Sequence, residues 1–348
     1  MGSDAILFQE IQEQPEVIAR LAHEGQNEVA QLAAAMRAAD IRQIVVAARG
    51  TSDNAARYAQ YLLGAGNRLP VMLTTPSLFT LYQRPPRFAP NTLVLGISQS
   101  GKSPDIVSVL AEGKRQGCLT SAITNAVDSP LAQQADHIVA LRAGRERSIA
   151  ATKTYTAQLF AVGLLSAQLA EDGERMATLQ EAPALLRQTL AMNGEVERLA
   201  ERYRYMRNCV VVGRGYNYST SFEIALKLKE LTYTLVEPYS AADFLHGPVS
   251  LIEPGFPVVV IASSGVLATE MQALVKQLSD LEAELLCVSS DEAVLERGRS
   301  RLPFPHVPDW LSPLLAVVPG QLLALYLALA RDFDPDRPRG LSKVTETR

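Results

Sequence analysis

The stretch TLVLGISQSG at 92–101 is a largely apolar run that ends in a Ser/Gln/Gly turn. An apolar run without polar alternation is what a strand buried on both faces of a parallel sheet requires. The same arrangement returns as VVVIASSG at 258–265, an offset of 164 from Gly101 to Gly265. The flanking strands repeat as well. IVVAA (44–48), leading to Arg49-Gly50, is matched by VVVG (210–213), leading to Arg214-Gly215, at an offset of 165. TSAITN (120–125) is matched by LLCVSSD (285–291), again at 165 between Asn125 and Ser290. An offset of 164 or 165 recurring at three strand ends indicates two copies of a single α/β unit.

Helical patterns fill the intervals. Residues 7–38 predict a helix from Leu7, Ile11, Val17, Ile18 and Leu21 and an Ala-rich run to Met36. Ala55, Tyr58, Ala59 and Leu62 predict another, Pro104 suits the first turn of a third, and 149–169 reads as a long apolar helix. VMLT (71–74) and HIVALRA (137–143) add strands, and an apolar helix follows Trp310. The predicted fold is therefore α/β: two tandem units, each a parallel sheet with helices on both faces. The expected boundaries are an N-terminal helical segment 1–38, a first unit 39–170, a join 171–195, a second unit 196–332 and a polar tail 333–348. Sheets of this kind bind ligands at the carboxyl ends of their strands.

Composition narrows the function classes. With 348 residues, 47% hydrophobic, 20% charged and a net charge of −4, the chain offers no basic field for nucleic acid. No apolar run is read as approaching the ~20 residues that cross a bilayer, so no membrane partner is expected. The acidic, amphipathic N-terminus fits neither a signal nor a transit peptide. Cys118, Cys209 and Cys287 lie at or beside apolar runs without a CxxC pair, as expected of reduced thiols in the cytoplasm. Four scattered histidines have no metal-site spacing, and no metal or other cofactor is expected.

Two regions carry chemistry. Ser98-Gln99-Ser100-Gly101-Lys102-Ser103 lies between a strand and a helix N-terminus, and Thr51-Ser52 occupies the equivalent loop of the neighbouring strand. Hydroxyls, a carboxamide and backbone N–H groups at a helix N-terminus suit a phosphate. Helix capping accounts for the same residues just as simply. No GxxxxGK[ST] or well-placed GxGxxG is present, so nucleotides are not favoured. In the second copy the first loop is poorer in anion ligands, but the helix after it carries Glu223, Lys227 and Glu230 at steps of four and three, along one face. The plain alternative there is an exposed Glu–Lys pair. His246 follows in a Gly/Pro turn, where a structural partner is the alternative. Lys343 in a polar tail would by default be solvated, and Arg145-Glu146-Arg147 would be a charged loop.

Taken together, ARGTS (48–52), SQSG (98–101), AATKTYTAQ (150–158), GRGYNYSTSFEIALKLKEL (213–231), AADFLHGPVSLI (241–252) and DRPRGLSKVT (336–345) resemble the isomerase half of glucosamine-6-phosphate synthase. The resemblance runs from about Gln12 to Thr345 and implies the double sugar-isomerase (SIS) fold, a pair of flavodoxin-like units. It implies that Thr51, Ser52, Ser98, Gln99, Ser100 and Ser103 hold a sugar phosphate. It implies that Glu230 shuttles a proton between C1 and C2, aided by desolvation, and that His246 assists ring opening from the partner subunit of a homodimer. Lys343 and Lys227 would assist at the carbonyl or ring-opening step. Glu223 and Glu146 would lie near the sugar, and Ile149 would offer it a backbone group.

The synthase family also carries a glutaminase domain, for which a chain beginning Met1-Gly2-Ser3 is expected to have no room. The resemblance then implies a stand-alone SIS-type deaminase that converts glucosamine 6-phosphate and water to fructose 6-phosphate and ammonia. Ala151 replaces a family serine and Lys102 a glutamate, which bears on the sugar. The rivals are a fructosamine-6-phosphate deglycase, a galactosamine-6-phosphate deaminase/isomerase, an isomerase subunit fed by a separate glutaminase, and a sugar-phosphate sensor without catalysis.

Overall fold

The computed structural model describes residues 4–343; Met1-Gly2-Ser3 and the tail from Val344, including Thr345, lie outside them. The chain forms two compact units. The first holds Gln14–Glu146, Lys153–Pro183 and the described residues 342–343; the second holds residues 4–13, Arg147–Thr152 and Ala184–Leu341.

In the first unit, α2 (Gln14–Glu24) and α3 (Gln26–Ala38) lead into β1 (Gln43–Ala47), α4 (Thr51–Asn67), β2 (Val71–Leu73) and α5 (Ser77–Thr80). Then follow β3 (Thr92–Ser98), α6 (Pro104–Arg115), β4 (Leu119–Thr124), α7 (Pro130–Gln134), β5 (His137–Ala140) and α8 (Lys153–Ala170). The strands pair in parallel in the order β2-β1-β3-β4-β5. Every residue of β3 is buried, as the run at 92–98 predicts for a central strand.

The second unit opens with α1 (Ile6–Gln12) and resumes after α9 (Gly173–Leu190), inside which the division between the units falls. It continues through α10 (Asn193–Arg202), β6 (Asn208–Gly213), α11 (Asn217–Thr232), β7 (Leu235–Ser240) and α12 (Ala241–Leu245). Next come β8 (Pro257–Ala262), α13 (Ala268–Asp280), β9 (Glu284–Ser289), α14 (Glu292–Leu295), β10 (Ser300–Pro303) and α15 (Ser312–Ala330). Its parallel sheet runs β7-β6-β8-β9-β10, the same order as the first. Both are doubly wound sheets of flavodoxin type. Their topological switch points lie between β1 and β3 and between β6 and β8.

Several expectations need correction. The predicted helix at 7–38 is three helices, parted at Glu13 and Gly25. The helix expected from 149 begins at Lys153, and residues 148–150 form a bend. Two strands, β7 and β10, have no counterpart in the sequence reading. Each lies at a sheet edge and is only partly buried, so neither shows a continuous apolar run. Pro238 inside β7 is tolerated there because an edge strand has fewer ladder bonds to lose.

The largest correction concerns α15. Its 19 residues are long and apolar enough to cross a membrane, contrary to the expectation that no run approaches that length. The helix is instead packed inside its unit, 89% buried. It lies against α11 where Gly320 leaves room for Ile224; a Cβ on Gly320 would sit 2.4 Å from that side chain. The polar tail is also ordered over its described part. Both Asp336 carboxylate oxygens accept from the Ile6 and Leu7 amides at 2.8 Å, satisfying the open N-terminus of α1. Arg339 lies over the Tyr233 ring, 3.9 Å from its centroid. All three cysteines are free: Cys209 in β6 and Cys287 in β9 are buried, and Cys118, just before β4, is half-buried. Burial pushes the thiols of Cys209 and Cys287 up to about 12.

Candidate active site

In the first unit, the loops after β1 and β3 leave the carboxyl ends of adjacent strands at the switch point. Gly50 turns the first loop with φ 55°, and Thr51 and Ser52 then form the first turn of α4. Gly50 stands at the N-cap without a side-chain cap, so capping is not what places Thr51 and Ser52. Ser52 is buried, and its Oγ accepts from Gln158 Nε2 on α8 at 2.9 Å. With its acceptor side used by an amide, the Ser52 hydroxyl is left to donate. Gln158 stands in the quoted AATKTYTAQ motif, but only the fold shows that it reaches Ser52.

The loop after β3 is organised by its own hydroxyls. Ser98 Oγ accepts from the Gly101 amide at 3.1 Å, and Ser100 Oγ accepts from the Lys102 amide at 3.3 Å. Gly101 has φ 62°, and a Cβ there would lie 2.0 Å from Ser129 Oγ, so only glycine fits. Ser103 is the N-cap of α6, but its side chain makes no capping bond. Gln99 and Ser100 are half-buried and Lys102 is exposed. Arg49 donates to Asp105 at 2.7 Å, tying the loop after β1 to the first turn of α6. Burial pushes the Asp53 carboxyl above the usual range, against the pull of Arg57 and Arg49.

Glu146 and Lys343, far apart in sequence, meet in this unit at 3.0 Å. Glu146 is buried, its carboxylate accepting from the Thr154 amide and hydroxyl at 3.2 and 2.7 Å. The expectations of a charged surface loop and a solvated tail lysine therefore do not hold. Lys153, also buried, donates to the Arg145 carbonyl at 2.9 Å and steadies the same turn.

In the second unit, α11 places Glu223, Lys227 and Glu230 on one face, and the plain alternative of an exposed pair fails. Lys227 is 1% exposed, with Nζ 3.5 Å from Glu223 and 2.6 Å from Glu230; the Glu223 side chain is fully buried and that of Glu230 is 23% exposed. A buried ammonium is tolerated only with such counter-charges. Glu230 is thus paired with an ammonium rather than held in apolar surroundings. His246, at the end of α12, is exposed, and its imidazole makes no hydrogen bond to the α11 set or to any other described residue. Ile149 is half-buried in the 147–152 segment, whose Arg147 and Ser148 amides donate to the buried Glu10 carboxylate at 2.5 and 3.1 Å. Glu10 was not singled out in the sequence; it reads as one polar residue of a helix. Among the described residues no three His, Cys, Asp or Glu side chains cluster as metal ligands.

Comparison with known proteins agrees with this architecture. The chain is 34% identical over 308 residues to a glutamine–fructose-6-phosphate aminotransferase (isomerizing) from Aquifex aeolicus. The match takes in 88% of this chain and 52% of that protein, so the chain spans about half the length of such relatives. A solved candidate phosphosugar isomerase from Silicibacter pomeroyi is 33% identical, with TM-score 0.85 over 95% of this chain and all of the other. A glucosamine-6-phosphate deaminase from Thermotoga maritima shares the fold, at 22% identity and TM-score 0.77 over 99% of this chain and 100% of that one. The SIS-domain family matches residues 39–167 and 204–331, one match to each repeat, and the chain belongs to that family, with two SIS domains in tandem.

Proposed function

We propose that the chain is an SIS-type glucosamine-6-phosphate deaminase, a phosphosugar isomerase that ends its reaction with hydrolysis to fructose 6-phosphate and ammonia. The observation that carries this reading is the buried ammonium of Lys227 between Glu223 and Glu230, a proton-handling set held on one helix. The hydroxyl-lined loops at 51–52 and 98–103 support a phosphate anchor, which orients the sugar. His246, exposed and without a side-chain partner among the described residues, is assigned ring opening. Glu230 removes the C2 proton from the open-chain sugar and returns it to C1. This leaves an imine at C2 that water hydrolyses, releasing ammonia. Lys227 holds the Glu230 carboxylate in place, and the Lys343–Glu146 pair lies with the sugar. Three free thiols fit a reducing cytoplasm, where we place the reaction.

The test is to incubate the protein with glucosamine 6-phosphate, without added metal or cofactor, and to assay both products. Equal amounts of fructose 6-phosphate and ammonia are expected. Folded protein that forms neither, but turns over a fructosamine 6-phosphate, would move the assignment to a deglycase. We further assign His246 to the partner's site in a homodimer. Mixing inactive Glu230→Gln and His246→Ala variants should then restore about a quarter of normal activity, because in a two-fold dimer one of two sites in each mixed pair is intact. No recovery on subunit exchange would place His246 in its own chain's site.

A further inference from the structure

The loop after β8 repeats the position of the loop after β3, with Ser264 and Gly265 standing for Ser100 and Gly101. Its donors are already taken. Ser263 Oγ donates to Asp309 Oδ1 at 2.8 Å, and the Val266 amide donates to Oδ2 at 2.9 Å. The carboxylate lies directly on Gly265, where a Cβ would come within 2.2 Å of both oxygens. Ser264 turns away to His306 Nδ1 at 2.6 Å and to Ser290. Among the described residues of the first unit no carboxylate hydrogen-bonds to Ser98, Gln99, Ser100 or Ser103. The two loops thus share a place in the fold, and one of them holds an anion: two oxygens accept from a hydroxyl and a backbone amide over a glycine, before a 13-residue helix.

We propose that Asp309 is a resident anion filling a second phosphate-class site, so that each chain is left with one site open to a phosphomonoester. The parallel rests on the phosphate reading of the loop after β3; the occupied geometry around Asp309 does not. Removing the carboxylate while keeping the backbone frees Ser263 Oγ and the Val266 amide for an external anion. Asp309 also begins the turn into α15, where its carbonyl accepts from Ser312, a bond that a side-chain substitution leaves in place.

Titration with inorganic phosphate, followed by calorimetry and by thermal melting, tests the proposal. Wild type is expected to bind one phosphate per chain and Asp309→Ala two, with a saturable rise in melting temperature confined to the variant's second site. Adding Ser98→Ala and Ser100→Ala to Asp309→Ala should remove the first phosphate and leave the second. If Asp309→Ala fails to fold, Asp309→Gly, which also removes the carboxylate and leaves the same donors free, is titrated in its place. A folded variant that binds no more phosphate than wild type overturns the proposal. Wild type binding none and Asp309→Ala binding one would retain it while removing the phosphate role of the loop after β3.

Discussion

The two units share a strand order and differ in where they keep charge. In the first, the switch-point loops present hydroxyls, with Ser52 backed by Gln158 and the Ser98–Ser103 loop held by its own amides and hydroxyls and by the Asn125 and Leu131 amides. In the second, the helix after the first strand buries an ammonium between two carboxylates, and the loop after β8 is closed by Asp309. The duplicated scaffold supplies the same two loops and the same helix twice. Neutral donors suit the recognition of an anion that arrives with the ligand, whereas fixed charges suit proton movement, so the copies lend themselves to different tasks.

The sharpest way to break this division is kinetic. Glu230→Gln should lower kcat by roughly two to four orders of magnitude, the range of general acid–base catalysis, with little change in KM. Paired Ser98→Ala and Ser100→Ala should act chiefly on KM. If both sets change the same parameter, the division of labour is wrong.

Next in size is a stability effect confined to the second unit. Lys227→Met leaves Glu223 buried beside an apolar side chain and should cost about 3–5 kcal/mol in denaturant unfolding. The double variant Glu223→Gln/Lys227→Met should recover much of that loss. Equal losses in the single and double variants would mean that the buried pair is not the cause.

A smaller effect is expected at Gln158. Gln158→Leu keeps the bulk of the side chain but removes the donor that orients Ser52. KM should rise about tenfold, the scale of one hydrogen bond to a charged group, with kcat nearly unchanged. An unchanged KM would return Ser52 to a purely structural role.

The smallest effect lets each unit report its own response to acid. Burial opposes the charge on Glu28, but the Arg142 hydrogen bond, the Ala140 amide and the Arg142 charge hold its carboxyl below the usual range. In the second unit the Arg202 hydrogen bond does the same for Glu284, against burial. A depressed carboxyl contributes stability that is fully present above the unfolded value of about 4.3 and is lost as pH falls through the folded value. Glu28→Gln and Glu284→Gln should therefore each flatten the stability–pH curve below that value and leave its slope near neutrality unchanged. A steeper acid limb in either variant would reverse the sign argued here.

How far a sequence reading reaches depends on whether a residue's role is local. The central strands, the repeat and the face of α11 follow from runs and spacings of a few residues, so the strand at 92–98 and the helix start at Pro104 are matched by the fold. The packing around α11 does not follow, because α15, about a hundred residues later, lies against that helix with Gly320 at Ile224. The same holds for Glu146 with Lys343, Glu10 with the 147–152 segment, and Asp309 over Gly265. Each is a contact between distant residues whose local surroundings look like ordinary polar surface. The edge strands of the second sheet, β7 and β10, escape the sequence for a related reason: their partly exposed positions dilute the apolar pattern that marks the interior ones.

The cysteines described above turn this comparison into something that can be timed. Cys209 and Cys287 sit in two strands of the second sheet with thiols pushed up to about 12, so almost none of either is nucleophilic thiolate near neutral pH. Cys118 borders the first sheet, half-buried, with its thiol raised more modestly by burial. Labelling by a thiol reagent therefore acts as a clock with separate hands. The slow modification of Cys209 and Cys287 counts openings of the second sheet, while Cys118 follows the edge of β4 in the first.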